Sequence, residues 1–343
     1  MTSYFIRRFL LIIPTFIGIT LITFLILQFV PGGPIEMEIM KIRQGGTKGG
    51  NEAGTSGNST QNIPQSALDE LNKFYGFDKP IQERYMIWVS NLFKFDLGRS
   101  YVYSEPVWDV IKARFPISIY FGLIGFILTY LICVPLGVYK AVKNGSPFDI
   151  ISSALVFIGY AIPAFAFGAL MLVLFGGGSF WDVFPLGGFR SEDYESLSSF
   201  DKIIDQIHHT ILPVLSYLIG SFATLTILTK NSVIENLSQD YIRTAFSKGL
   251  SEKRVIFGHA LRNSLIPIST GLGHAISLVL TGSYLIERVF NINGIGLLSL
   301  DSIIQRDYPV VMGLLVISTF LLLIGNILSD IIYAIVDPRI RFK

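Results

Sequence analysis

Six stretches of this chain lack Asp, Glu, Lys and Arg altogether: Phe9 to Val30, Phe115 to Tyr139, Ile150 to Phe175, Ile211 to Thr229, Leu265 to Ile286 and Pro309 to Ser329. An α-helix rises about 1.5 Å per residue, so roughly 20 apolar residues cross the hydrocarbon core of a bilayer. Hydrophobic residues make up 51% of the chain and charged ones only 15%, against about 25% charged in soluble domains. The pattern predicts an all-α integral membrane protein with six transmembrane helices. The first stretch has the basic start of a signal peptide, Arg7-Arg8. Its apolar run is too long for one, and Pro31-Gly32-Gly33-Pro34 follows instead of a small-x-small cleavage site, so it is expected to be a retained span.

Lysine and arginine in the connections set the expected orientation. Segments 1–8, 140–149, 230–264 and 330–343 hold thirteen basic residues against six acidic ones. Loops 176–210 and 287–308 hold four basic and nine acidic residues together. The first set therefore reads as cytoplasmic, and with it both termini. The long outer loop 31–114 carries a Gly-rich excursion, Gln44 to Asn62, which reads as flexible. Ser66-Ala67-Leu68-Asp69 then looks like a helix start, with Gly76 as its end. A second helix beginning near Pro80 would place Trp88, Leu92 and Phe93 on or near one face. This loop reads either as a small cap on the outer membrane face or as a docking surface for an extracytoplasmic partner.

Several chemistries are excluded. A net charge of +2 is too small for a nucleic-acid binder, and a lone cysteine, Cys133, supports neither a disulfide framework nor a multi-Cys metal cage. No G-x-x-x-x-G-K-[ST], H-E-x-x-H, C-x-x-C or G-x-S-x-G occurs. The chain is thus expected neither to bind ATP by a P-loop nor to be an enzyme. His208 and His209 are adjacent and diverge on a helix, which disfavours a shared metal. Few ionisable groups lie in the spans, His274 being the candidate, which disfavours a proton-coupled carrier. A sodium-coupled carrier or a stand-alone channel remains the alternative.

The inner segment between the fourth and fifth stretches carries the most information. Tyr241, Ala245 and Lys248 recur at i, i+4, i+7, and Gly249 is a natural helix stop. Ser251-Glu252-Lys253-Arg254 then opens a second helix with Val255, Phe257 and Leu261 as its apolar positions. Such a helix-turn-helix suits insertion into a cleft of a soluble partner. It equally suits a place on an anionic lipid surface.

The run A-x-x-x-G-L-S-x-x-x-V-x-x-x-H-A-x-R-N-x-x-x-P, with Ala245, Gly249, Ser251, Val255, His259, Ala260, Arg262, Asn263 and Pro267 at its named positions, resembles the coupling segment of type I ABC importer permeases. In detail it is similar to the B-type subunits of oligopeptide and dipeptide importers. Further matching runs are Val30-Pro31-Gly32-Gly33-Pro34, Tyr75-Gly76-Phe77-Asp78-Lys79-Pro80, Phe95-Asp96-Leu97-Gly98-Arg99-Ser100, Asn293-Gly294-Ile295-Gly296-Leu297-Leu298, Arg306-Asp307-Tyr308-Pro309 and Val336-Asp337-Pro338-Arg339. The Gly-rich excursion and the runs at 141–146, 159–165 and 228–232 look nearest the YejB subgroup, which is associated with uptake of peptides and microcin C-like compounds. The general motif begins Glu-Ala-Ala where this chain has Arg243-Thr244-Ala245, so no ion pair built on that glutamate carries over.

The resemblance implies a division into an N-terminal helix (1–30), an outer loop (31–114), a type-1 transmembrane domain (115–336) and a cytoplasmic tail (337–343). It implies a heterodimer with a second, homologous permease subunit, cytoplasmic ABC ATPase subunits that carry ATP and Mg, and an extracytoplasmic substrate-binding protein. This chain itself would hold no cofactor and no metal. Tyr241, Arg243, Ala245, Lys248, Gly249, Ser251 and His259 become the candidate coupling residues, with Tyr241 and Ala245 in the ATPase cleft. Thr270, His274, Ser277 and Thr281 recur at i, i+4, i+7, i+11. They form a polar stripe that faces either substrate or a neighbouring helix.

Overall fold

A computed structural model describes residues 2–29, 69–70, 72–73, 76–178, 180–269 and 282–336. Among the described residues there are twelve α-helices with both ends described. They are α1 (Thr2–Phe29), α2 (Ile81–Leu92), α3 (Val107–Lys112), α4 (Phe115–Val142), α5 (Pro147–Ala161), α6 (Ala164–Phe175), α7 (Ser199–Leu237), α8 (Asp240–Ser247), α9 (Glu252–Val255), α10 (Tyr284–Val289), α11 (Ile295–Ile304) and α12 (Tyr308–Val336). Among the described residues four helical stretches are long and apolar enough to cross a membrane: Ile6–Phe29, Val107–Val142, Ser199–Leu237 and Tyr308–Ile332. The fifth expected span falls largely on 270–281, outside the described residues.

The third expected span is not one straight helix. It breaks at Ile162-Pro163 into α5 and α6, bent by 94°. Proline has no N–H to continue the ladder, and its ring pushes the preceding residue out of the helical region. Ile162 accordingly sits at φ −92°, ψ 122°. The fourth span also runs further than its uncharged stretch. Ser198 accepts a hydrogen bond from the Asp201 amide at the start of α7, which then continues 39 residues to Leu237. His208, His209 and Lys230 therefore all lie within a helix.

The chain forms two compact units. One comprises Met1–Ile12, Arg114–Leu298 and Phe320–Lys343; the other comprises Ile13–Ala113 and Ser299–Thr319. In the first unit α7 is the central element and packs most extensively on α4, then on α5 and α6. The α4–α7 crossing is close because Gly137 has no side chain. A Cβ there would lie 2.6 Å from Thr229 Cβ and 2.8 Å from the Thr226 carbonyl oxygen. Phe121, Leu212, Leu218, Phe290 and Ile292 build the main apolar cluster. Arg8 of α1 pairs with Asp330 of α12.

Within the second unit, two of the matching runs meet. The buried Asp307 carboxylate accepts hydrogen bonds from the Ser100 hydroxyl (2.5 Å) and the Tyr101 and Val102 amides (3.1 and 3.3 Å). Residues about 200 apart in sequence thus fix one loop. Gly76 ends the short helical turn before it at φ +71°, and α2 starts directly after Pro80. Of the face expected on α2, Trp88 and Leu92 are half-buried, whereas Phe93 is 83% exposed. Phe93 lies one residue past the helix, at its C-cap, and so follows no face of α2.

Candidate functional site

The segment after α7 is a helix-turn-helix with its own small core. Gln239 is extended before α8, and Asp240 lies in the first turn, where a carboxylate opposes the positive end of the helix dipole. At the other end Gly249 takes φ +78°. Its amide donates to the Phe246 carbonyl (2.9 Å) and the Leu250 amide to the Ala245 carbonyl (3.4 Å). This pair of bonds is a Schellman turn, and Leu250 packs beside the Ala245 cluster as that motif requires. Ser251 is then extended at the head of α9. A π-helical turn, Ile256–Ala260, follows and leads into helical residues 261–269.

Ile242, Ala245, Val255 and Ala260 pack together inside this hairpin, with Leu237 and Leu250 against them. Ala245 is therefore buried by the chain's own second helix, at 6% exposure. Its small size lets α8 and α9 approach each other, rather than presenting a face to a partner. Tyr241, Arg243, Lys248, Gly249, Ser251 and His259 are all exposed, as are Phe246 and Phe257. The sequence spacing had put Tyr241, Ala245 and Lys248 on one face; the structure sends Ala245 inward and the other two outward. Of the apolar positions expected in the second helix, Val255 is buried and Leu261 half-buried, while Phe257 faces out at 56% exposure. The π-turn adds a residue to the helical turn and rotates the positions that follow it. Tyr241 is steadied by its hydroxyl donating to Asn236 Oδ1 (2.8 Å). The Arg243–Asp240 pair, at 3.5 Å, is fully surface-exposed and contributes little.

Two connections fasten this hairpin to the spans. The Ser232 hydroxyl of α7 donates to the Ser264 carbonyl (3.0 Å), and the Ser264 hydroxyl, in the helix that continues the hairpin, donates back to the Ser232 carbonyl (3.2 Å). Half a turn before Ser232, Lys230 Nζ donates to both carboxylate oxygens of Asp149 (2.8 and 2.7 Å). Lys140, only 1% exposed, lies 3.2 Å from Asp149 Oδ1 and also donates to the Ser152 and Ser153 hydroxyls (2.7 and 2.8 Å). The cluster ties the end of α4, the start of α5 and the C-terminal part of α7 together. Charge counting treated both lysines as topology signals; nothing in their spacing showed that they share one carboxylate.

A further buried carboxylate organises the segment after the fifth stretch. Glu287 of α10 accepts from the Leu297 amide (2.6 Å) at the start of α11 and from the Ser283 amide (3.2 Å). A Cβ at Gly294 would lie 2.7 Å from this carboxylate, which is why the run Asn293-Gly294-Ile295-Gly296 has its glycines. Burial pushes Glu287 up to about 7, against the opposing pull of the amides of Leu297, Gly296 and Ser283. His209 is buried and bonds within α7 to the Asp205 carbonyl at 2.9 Å. Among the described residues no cluster of His, Cys, Asp and Glu is placed to hold a metal. Thr270, His274, Ser277 and Thr281 lie outside the described residues.

Known proteins match over this same ground. The family described as "Binding-protein-dependent transport system inner membrane component" matches residues 133–342, which include the hairpin and its anchors. The chain belongs to this family. It is the non-catalytic permease subunit of an ABC importer, a multi-pass protein of the inner membrane. It is 43% identical to the inner membrane ABC transporter permease protein YejB of Escherichia coli O157:H7, over all of both chains. It is 41% identical to the peptidoglycan transport system permease protein YejB of Agrobacterium fabrum, over all of this chain and 99% of that one. The dipeptide transport system permease protein DppB of Escherichia coli K12 is 35% identical, again over the full length of both. Membership sets aside a carrier or channel that works without an ATPase.

Proposed function

We propose that this permease forms, with a second homologous permease subunit, the pathway for peptides or peptide-like compounds delivered by an extracytoplasmic binding protein. Cytoplasmic ABC ATPase subunits, holding ATP and Mg, drive it through the hairpin at 240–263. The carrying observation is that this hairpin has a closed core of its own and an outward surface of Tyr241, Arg243, Phe246 and Lys248. It can therefore move as one piece against a partner cleft, and Ser264, in the helix that continues the hairpin, hands that movement to α7 through its contacts with Ser232. Gly249 sets the turn, Ser251 heads the second helix, and His259 lies on the exposed side of the π-turn. Ala245 supports the hairpin from within. This reading places both termini and the hairpin in the cytoplasm, loop 31–114 outside, and the type-1 domain at 115–336.

The substrate class rests on the names of the relatives, two of which are transport systems for peptidoglycan and dipeptide. Thr270, His274, Ser277 and Thr281 are proposed as pathway-facing. The test is reconstitution of the co-purified complex in vesicles, with the binding protein, a labelled short peptide and ATP on the ATPase side. ATP-dependent accumulation of peptide is expected. Accumulation without ATP, or purification of this chain repeatedly free of any ATPase, would overturn the reading.

A further inference from the structure

The π-turn at Ile256–Ala260 is the one irregular turn between the hairpin and the helical residues 261–269, and in it the Leu261 amide donates to the Ile256 carbonyl five residues back. Such turns are uncommon inside helices and gather at working sites. The burial pattern shows what this one does. Val255 and Ala260, five apart, are both fully buried in the hairpin core beside Ile242 and Ala245. Ile256, with Leu261 five residues on, packs instead on Val138 and Ala141 of α4 and Val233 of α7. Two adjacent i, i+5 pairs thus face two different bodies, the hairpin and the ends of the long helices.

An α-helix advances about 100° per residue, so residues five apart diverge by about 140°. In an α-helical turn each pair would be split, and His259, exposed here, would swing between the directions of Val255 and Ile256. The π register therefore holds both clusters at once, and the α register gives one of them up. Gly258, in the middle of the turn, does not resist the change by packing: a Cβ there would meet nothing within 4 Å. Ser264, one turn further on, has two alternatives of its own. Its hydroxyl lies within donating distance of the Ala260 carbonyl (2.8 Å) and of the Ser232 carbonyl on α7 (3.2 Å), and its single proton serves one of them at a time.

We infer that the π-turn is a register switch: motion of the hairpin converts it to an α-turn, which rotates the helix at 261–269 against the hairpin and releases one of the two clusters. The inference rests on the reading of the hairpin as the ATPase contact. Deleting Gly258 removes the extra residue. Val255 and Ala260 are then four apart, as are Ile256 and Leu261, so both pairs stay together in an α-turn and the register is locked. In vesicles holding the whole complex, this variant should insert, co-purify with the ATPase and hydrolyse ATP, while ATP-driven uptake falls several-fold. Unreduced uptake by the assembled variant overturns the switch and leaves the importer reading standing; no ATP-driven uptake by the unaltered chain overturns both. A second measurement keeps the turn at full length. Spin labels on Lys253→Cys and Arg262→Cys, exposed positions on either side of the turn, are placed in a Cys133→Ala background, the native cysteine being buried. Their separation, read from dipolar broadening, should differ between the nucleotide-free complex and the complex held by a non-hydrolysable ATP analogue. An unchanged separation overturns the switch, whatever the deletion does.

Discussion

At the residue scale the informative positions are buried charges that each hold several elements at once. Asp149 compensates Lys140, which is almost wholly enclosed, and Lys230 as well. Removing one partner of a buried ion pair leaves an uncompensated charge and typically costs about 3–5 kcal/mol. Asp149→Asn should therefore lower the thermal stability of the purified protein sharply, while Lys79→Met, at an exposed pair, should leave it nearly unchanged. Comparing their melting in one detergent checks this, and equal small shifts would show that Asp149 is not needed as a charge. Glu287 offers a test by pH. Its carboxyl is raised from 4.5 to about 7 by burial, so the folded protein binds more protons than the unfolded chain between those values. The corresponding stability is fully present below about 4.5 and is lost as pH rises through about 7. Glu287→Gln should flatten that part of the stability–pH curve, measured by melting between pH 5 and 8. A curve of unchanged shape in the variant would assign the dependence elsewhere.

At the element scale the sequence was legible wherever a local rule was sufficient. Charge-free runs coincide with the four long apolar helices and with the bent α5–α6 pair among the described residues, and Gly249 and Gly76 marked helix ends that both adopt positive φ. The third charge-free run reads as one span, yet it turns by 94° at Pro163 between α5 and α6, an angle that depends on what the two halves pack against and not on proline alone. On α8 the short Ala245 is covered by the second helix while the longer Tyr241 and Lys248 beside it extend to the surface, a difference of side-chain reach that spacing does not show; Phe257 lies two residues from the buried Val255 and so does not share its side. The Asp149, Glu287 and Asp307 networks stayed hidden for a related reason. Their partners lie 81, 10 and 207 positions away, and no periodicity links them. Helix contact gives a further expectation. Gly137→Leu would drive a side chain into Thr229 and the Thr226 carbonyl, and overpacking of this kind costs about 1–3 kcal/mol or more. Lowered stability in Gly137→Ala, partly recovered in the double variant Gly137→Ala, Thr229→Gly, which removes the Thr229 Cβ that the new methyl meets, would locate the strain at the α4–α7 crossing. No recovery in the double variant would place it elsewhere.

At the scale of the whole molecule the question is how a subunit without catalytic chemistry responds to ATP spent elsewhere. A ligand shifts a two-state protein only by its different affinity for the two states, so the permease needs a rigid part that feels the partner and a firm link from that part to the spans. On the proposed reading the hairpin core of Ile242, Ala245, Val255 and Ala260 would supply the first, and the Ser232–Ser264 contacts the second. Gly249→Pro attacks the rigid part alone. Proline cannot adopt φ +78° and removes the amide that donates to Phe246, so the Schellman turn opens while the spans and their buried charges keep every contact. The variant should insert, accumulate and co-purify at near wild-type levels, and its complex should still hydrolyse ATP. Uptake per ATP hydrolysed should fall at least tenfold. Ser264→Ala should give a milder loss, since one hydroxyl bond of about 1 kcal/mol goes while the apolar hairpin remains. Full uptake by Gly249→Pro at normal expression would mean that ATPase motion enters the membrane by another route, and the hairpin would then be only a surface turn between α7 and the segment at 261–269.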